Sequence, residues 1–187
     1  MTPLPTAYVL LFALTVVVMV HQGRAKRLAD HSHDEWHSSV VLGLAHAGAM
    51  ISGALFPWLA LGMLPIGQAT AWVAVGVMVL AFALQLWSMR TLGLLFTASL
   101  QAATDQPVVA RGPYRVVRHP AYLAQLVFWI SFAVASRNLI TILVVTSLVI
   151  LAYGHRIRTE ERMLARSLGE RYRAYAAGRA RLVPGLW

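Results

Sequence analysis

Arg111–Tyr122 reads RGPYRVVRHPAY, and the organisation of the whole chain turns on it. The stretch is polar and basic, yet long apolar runs flank it closely on both sides. Gly112-Pro113 is a turn signal. Pro120 stands where a helix accepts a proline, in its first turn, with an apolar run beyond it. Arg111, Arg115 and Arg118 place three positive charges within eight residues. The reading is a tight basic turn at a membrane surface, followed by a helix that enters lipid from His119-Pro120. Such a turn has a plain role as a topology anchor under the positive-inside rule, so this stretch alone leaves function open.

Working outward, the composition excludes a soluble globule. Hydrophobic residues make up 58% of the 187 positions and charged residues 12%. The apolar residues fall into long runs that read as transmembrane helices. Without an evident linker, residues 1–187 form one membrane domain, three N-terminal spans over 1–89 and a second half over 90–187. There is no cysteine, which removes disulfides, thiolate metal sites and a cysteine nucleophile. The net charge of +9 does not point to nucleic acid, since no soluble domain exists to present a basic face. Its simpler cause is attraction to the cytoplasmic side and its anionic lipids.

Five spans are expected, at about Leu4–Val20, Ser39–Leu61, Thr70–Trp87, Pro120–Ala135 and Leu139–Tyr153. The N-terminal run lacks a basic leader and a small-residue cleavage site, so it reads as a retained span. The last two spans are short. Sixteen residues at 1.5 Å each reach about 24 Å, less than the roughly 30 Å hydrocarbon core, so they form a tight hairpin tipped by Arg137-Asn138. Lys and Arg number three in 22–37, four in 88–119 and eight from Arg156 onward, against none in 62–69 and one at the hairpin tip. That asymmetry puts the N-terminus outside and the tail in the cytoplasm of a multi-pass plasma or inner membrane protein.

Inside span two, Ala45, Gly48, Ala49, Ser52 and Gly53 make a small-residue face for helix packing. His46 in the same span is either a functional residue, as titratable groups at membrane depth often are, or a neutral histidine satisfied by a neighbour. The run HSHDEWH (residues 31–37) offers metal-ligand types without the spacing of a closed site, and reads as a solvated connector. The stretch TLGLLFTASLQAATDQPVVARG (residues 91–112) is amphipathic enough to lie at the interface.

The tail, HRIRTEERMLARSLGERYRAYAAGRARLVPGLW from His155, is helical by pattern. Ile157, Glu161, Leu164, Leu168 and Tyr172 share a face, and Arg156 and Glu160 share a neighbouring one. Glu161 therefore points with apolar residues, which requires a cation to meet it. Gly169 ends this helix and a short second one follows from Glu170. Two acids at the exit of the last span, beside the basic turn, make a polar pocket suited to a zwitterion: carboxylates meet an ammonium or sulfonium, arginine meets a carboxylate. A salt-bridge clip holding the tail to the membrane surface explains the same charges.

The pairing of GPYRVVRHPAYLA with HRIRTEERMLARSLGERYRAYAAGRARLVPGL resembles the isoprenylcysteine carboxyl methyltransferase family, within a wider group that includes the phospholipid N-methyltransferases. The shared positions are Gly112, Pro113, Tyr114, Arg118, His119, Pro120 and Tyr122, then Arg156, Glu160, Glu161, Leu164, Gly169, Tyr172, Tyr175, Arg181 and Pro184. Thr91–Gly93 fits as well, so the likeness covers roughly residues 90–186. The departures are Ala124 for a usual Gly, Leu168 for a usual Phe, and the Arg179–Arg181 segment. The resemblance implies an all-α integral membrane enzyme that transfers a methyl group from S-adenosylmethionine, without a metal, to a lipophilic acceptor entering from the bilayer. The acceptor atom, in a carboxylate, amine or thiol, stays open. The resemblance further implies that Arg118, His119, Pro120, Tyr122, Leu123, Glu160 and Glu161 hold the cofactor, and that Arg156 and Glu160 are catalytic. Arg156 would orient an acceptor carboxylate and Glu160 an amine or the cofactor's ammonium.

Two other classes compete. Membrane sterol reductases, which use NADPH, share a GPYxxxRHPNYxGE-like stretch, but here Ala121, Ala124 and Gln125 replace its Asn, Gly and Glu. A non-catalytic membrane scaffold is the third reading. No internal repeat or broken helix supports a transporter.

Overall fold

Among the described residues, six α-helices form where the apolar runs and their punctuation put them: α1 (Pro3–Ala25), α2 (His33–Trp58), α3 (Gln68–Leu92), α4 (Pro120–Ala135), α5 (Leu139–Leu168) and α6 (Glu170–Ala177). The structure, a computed structural model, describes residues 3–25, 33–96 and 107–185. Among these the chain is all-helical, with no strand beyond two isolated bridges. Residues 97–106 of the stretch read as interfacial, and His31 of the histidine-rich run, lie outside the described residues.

Three helical segments are long and apolar enough to cross a membrane: His37–Trp58, Gln68–Leu92 and Leu139–Leu168. Pro3–Val18 and Pro120–Ala135 are shorter apolar helices. Phe12, Leu44, Val73, Leu80 and Leu151 are exposed, on four of the helices, as expected where hydrocarbon rather than water is the solvent. The chain is a membrane protein.

The most extensive packing is α3 on α4 and α2 on α5. Helix α1 lies against α3 and, less extensively, α4. The core joins Leu11 and Leu14 of α1, Met78 of α3, Phe128, Trp129 and Phe132 of α4, and Val145, Val149 and Tyr153 of α5. The small-residue face of α2 packs as its composition suggests. Ala45, Ala49 and Ser52 are buried, and a Cβ at Gly53 would fall 2.6 Å from the Phe132 ring.

Each end of α4 is tied down by the backbone. At its C-terminal end, Leu139 N–H donates to the Gly62 carbonyl (2.8 Å) and Leu64 N–H to that of Arg137 (2.8 Å). Asn138 organises this corner. It is fully buried, its Oδ1 accepts from Thr141 N–H at the start of α5 (2.9 Å), and its Nδ2 donates to the Leu61 carbonyl. Asn138→Ala removes a helix cap and orphans a carbonyl, so it is expected to cost about 2–3 kcal/mol. The measurement is the melting temperature in detergent, which should fall by roughly 5–10 °C.

One difference from the expected pattern concerns α5. The apolar run from Leu139 and the charged tail helix are a single 30-residue helix. Gly154 does not interrupt it, because one glycine costs only about 1 kcal/mol of helix propensity and Tyr153, Arg156 and Ile157 around it are buried. The break comes at Gly169, whose φ of +55° suits glycine. Helix α2 also begins ahead of the expected Ser39 and stops at Trp58, since residues 59–63 already turn towards Asn138.

Candidate functional site

The basic turn is built by its glycine and its two prolines. Gly112 has φ +55°, and a Cβ there would lie 2.8 Å from Thr91 Oγ1, so the turn can press against the end of α3 only without a side chain. Gly112–Arg115 form a 3-10 turn with Pro113 near its start. Tyr114 is buried, and its carbonyl accepts from the Tyr175 hydroxyl (2.9 Å). Pro120 opens α4, with His119 as the residue before it. The His119 side chain makes no cap bond. It turns instead towards α5, buried and stacked on Tyr122 with ring centroids 5.6 Å apart.

The tail returns alongside this turn. Arg118 N–H donates to the Ala180 carbonyl (2.9 Å) and His119 N–H to that of Arg181 (3.0 Å). Glu161 then sits among three basic groups: Arg118 Nη1 at 2.7 Å, Arg181 Nε at 2.8 Å and His119 Nε2 at 3.2 Å. This answers the demand the sequence raised, since a carboxylate on an apolar-facing position has found its cations. Its neighbour Glu160 is held differently. Glu160 Oε2 is buried without a hydrogen bond among the described residues, and His119 Nδ1 is 3.9 Å away. Glu160 is a side-chain hydrogen-bond partner of the Tyr122 hydroxyl.

Arg156 is buried one turn before Glu160. Its Nε donates to the Tyr122 hydroxyl (3.3 Å), and its Nη1 to Ser38 Oγ (3.3 Å) and Ser39 Oγ (3.1 Å). The guanidinium thus ties α5 to α4 and to the start of α2.

These side chains wall a cavity of about 390 Å³, within the roughly 300–1,000 Å³ range of small-molecule sites. Tyr114, Arg118, His119, Glu160, Tyr172 and Tyr175 line it near the tail. Tyr122, Arg156 and Ser39 follow, and His46, Gln85, Gln125 and Tyr153 line it further along α4 and α5. Burial pushes the Tyr172 phenol up, with the Glu161 and Glu160 carboxylates adding to the effect. Tyr114 is raised by burial first and by Glu160 second. The phenols near the tail are therefore neutral rings around one half-buried carboxylate, a surrounding that favours a cation. A half-buried carboxylate bordering the cavity among aromatic rings fits the ammonium or sulfonium of S-adenosylmethionine.

Of the residues expected at a site, Arg118, His119, Tyr122, Arg156 and Glu160 border this cavity. Pro120 and Glu161 stand behind its wall, one starting α4 and the other clipping the tail. Leu123 lies half-buried on α4 away from the lining. Ser39, Tyr153, Gln85 and Gln125, none of them among the expected site residues, also line the cavity. The two glutamines carried a usable signal, since a side-chain amide within an apolar span asks for a partner. Among the described residues, no three His, Cys, Asp or Glu gather as metal ligands.

The model of the isoprenylcysteine carboxyl methyltransferase (ICMT) family matches residues 73–166, half of the chain. The chain belongs to this family. The match runs from α3 through Arg166 and so contains the basic turn, Arg156 and both glutamates. A solved structure of the eukaryotic intramembrane Ras methyltransferase ICMT shares the fold, with a TM-score of 0.59 at 22% identity. The alignment covers 85% of this chain and 55% of that one, so the chain spans about half the length of that ICMT. No curated protein matches the chain in sequence.

Proposed function

We propose that the chain methylates a lipophilic acceptor at the cytoplasmic face of the membrane, using S-adenosylmethionine. The observation that carries this reading is the single cavity joining His119 and Glu160 to Arg156 and, beyond them, to the apolar part of the helices. Five spans, with the last two as a short hairpin and the tail in the cytoplasm, follow from the excess of Lys and Arg on the side of the basic turn.

S-adenosylmethionine supplies a methyl group on a sulfonium, transferable by in-line displacement. That chemistry needs no metal and no covalent intermediate, so the protein's work is alignment and exclusion of water. Glu160, whose half-buried side chain lines the cavity, holds a cation there. His119 and Tyr122, stacked on one another, form the adjoining wall. Arg118, through Glu161, keeps the turn in place. Arg156 projects a fixed cation from the middle of the lining and orients an acceptor carboxylate, which makes a carboxylate the favoured acceptor over an amine or thiol.

Apolar residues on the cavity's border support an acceptor arriving from the bilayer. Helices α1 and α2 meet where the Tyr8 hydroxyl approaches the Met50 carbonyl (3.4 Å). Towards the basic turn, Val18, Leu42 and the exposed Gly43 border the cavity. A lipophilic molecule would slide in there while the cofactor enters past the tail.

The test is mass spectrometry of lipid and hydrophobic-metabolite extracts incubated with the purified protein and a trideuteromethyl donor. A product heavier by one labelled methyl is expected, and Glu160→Gln should lower its yield sharply at limiting donor. No incorporation from any extract, together with binding of NADPH, would replace this reading with the reductase.

A further inference from the structure

The far end of the cavity plays no part in the methyl transfer just described. About 10 Å along α5 from Glu160, seven residues at 1.5 Å each, Tyr153 lines the cavity, and His46, Gln85 and Gln125 add polar side chains to the lining from α2, α3 and α4. His46 Nε2 lies 3.0 Å from the Tyr153 hydroxyl, and its ring stacks on Trp129 with centroids 4.8 Å apart. Those two groups satisfy and fix each other. Gln85 is in another position. It is 2% exposed, it borders the cavity, and its Oε1 has no hydrogen-bond partner among the described residues.

An amide left in this state is unfavourable unless something brings it a donor. Its surroundings on α3 show that an apolar residue would have packed there, since Ala74, Val75, Met78 and Ala81 precede it on the buried side. A pocket for a plain hydrocarbon tail is lined by hydrocarbon. Two glutamines and a tyrosine–histidine pair are the wrong lining, because a hydrocarbon displaces water from them and returns no hydrogen bond.

We propose that this inner end is a subsite for a neutral hydrogen-bond donor, a hydroxyl or an amide N–H, carried by the methyl acceptor. The proposal rests on the methyltransferase reading and narrows its substrate class. The acceptor is then bifunctional, with an anionic group at Arg156 and a neutral donor elsewhere along the same cavity. Gln85 accepts from that donor, and the locked His46–Tyr153 pair is another, rigid part of the same lining. All of these are specificity-determining contacts, with no role in moving the methyl group.

Two matched probes test this, 4-phenylbutanoate and 4-(4-hydroxyphenyl)butanoate, which differ by one hydroxyl set several ångströms from the carboxylate. Binding of each to the full chain in detergent, in the presence of S-adenosylhomocysteine, is measured by calorimetry. The hydroxylated probe should bind roughly tenfold more tightly to the wild type. In Gln85→Leu that ratio should fall to about one while 4-phenylbutanoate keeps its affinity. The variant exchanges an orphaned amide for an apolar group of similar size, which does not threaten the fold. Equal binding of the two probes to the wild type, binding of neither, or a preference that survives Gln85→Leu would overturn the subsite. S-adenosylhomocysteine binding, titrated separately, reports on the methyltransferase reading itself: its absence in the wild type would sink that reading whatever the probes do.

Discussion

Arg156→Ala is expected to lower kcat/KM for the methyl acceptor by on the order of 10²–10³, while S-adenosylhomocysteine affinity changes little. The reason lies in where the guanidinium is held. It is buried, with Nε on the Tyr122 hydroxyl and Nη1 shared between Ser38 and Ser39. A fixed cation in a water-poor cavity costs no reorganisation when an anionic acceptor docks. Alanine removes that cation and leaves two serine hydroxyls and a phenol with one partner fewer, at a structural cost of about 1–3 kcal/mol. Activity loss could therefore be mistaken for instability, and Arg156→Lys separates the two. Lysine keeps the charge but cannot direct donors to Tyr122 and both serines at once. It should restore acceptor KM in part while kcat stays low. Steady-state rates with a labelled methyl donor give both numbers. Wild-type turnover in Arg156→Ala would remove Arg156 from the reaction.

How much of this was readable without coordinates depends on the range of each interaction. Helix α4 begins and ends where proline chemistry and the apolar run put it, because both signals are local. The meeting of Arg118 and His119 with Glu161 is forty-two residues distant at its His119 arm. It was legible only in outline, as a carboxylate on an apolar-facing position that required a cation. The identity of the third basic group, Arg181, was not legible. It arrives through a backbone pairing of Val117 with Ala180 that no periodicity announces. The same limit hid the cavity lining. Ser39, Gln85, Gln125 and Tyr153 come from four helices, and each is unremarkable in its own segment. Only the angles at which those helices pack bring them to one space. Gly112 shows the opposite case. A turn glycine is expected after Arg111, but that it also clears Thr91 is a tertiary fact.

The two adjacent acids should respond in opposite ways to the same loss of charge. Glu160→Gln keeps the size of the side chain and a hydrogen bond for Tyr122, and removes only the negative charge facing the cavity. S-adenosylhomocysteine affinity is expected to fall by about 10- to 100-fold, the loss of one charge-assisted contact in a partly desolvated site, with the melting temperature nearly unchanged. Glu161→Gln should do the reverse first. Its carboxylate is the shared anion of Arg118, His119 and Arg181, and its side chain is 12% exposed. Removing it leaves cations facing one another at the point where the tail is pinned, a loss of about 3 kcal/mol, or roughly 5–10 °C in melting temperature. Because the Arg118 and His119 amides donate to the Ala180 and Arg181 carbonyls, their hydrogen exchange should accelerate in Glu161→Gln and stay slow in Glu160→Gln. Adding Arg181→Gln to Glu161→Gln should cost less than Arg181→Gln costs alone, since the two share one contact. If both glutamine variants lost stability equally, or both lost only cofactor affinity, the division between a clip behind the wall and a ligand-facing carboxylate within it would not hold. The twin acids would then act as one group.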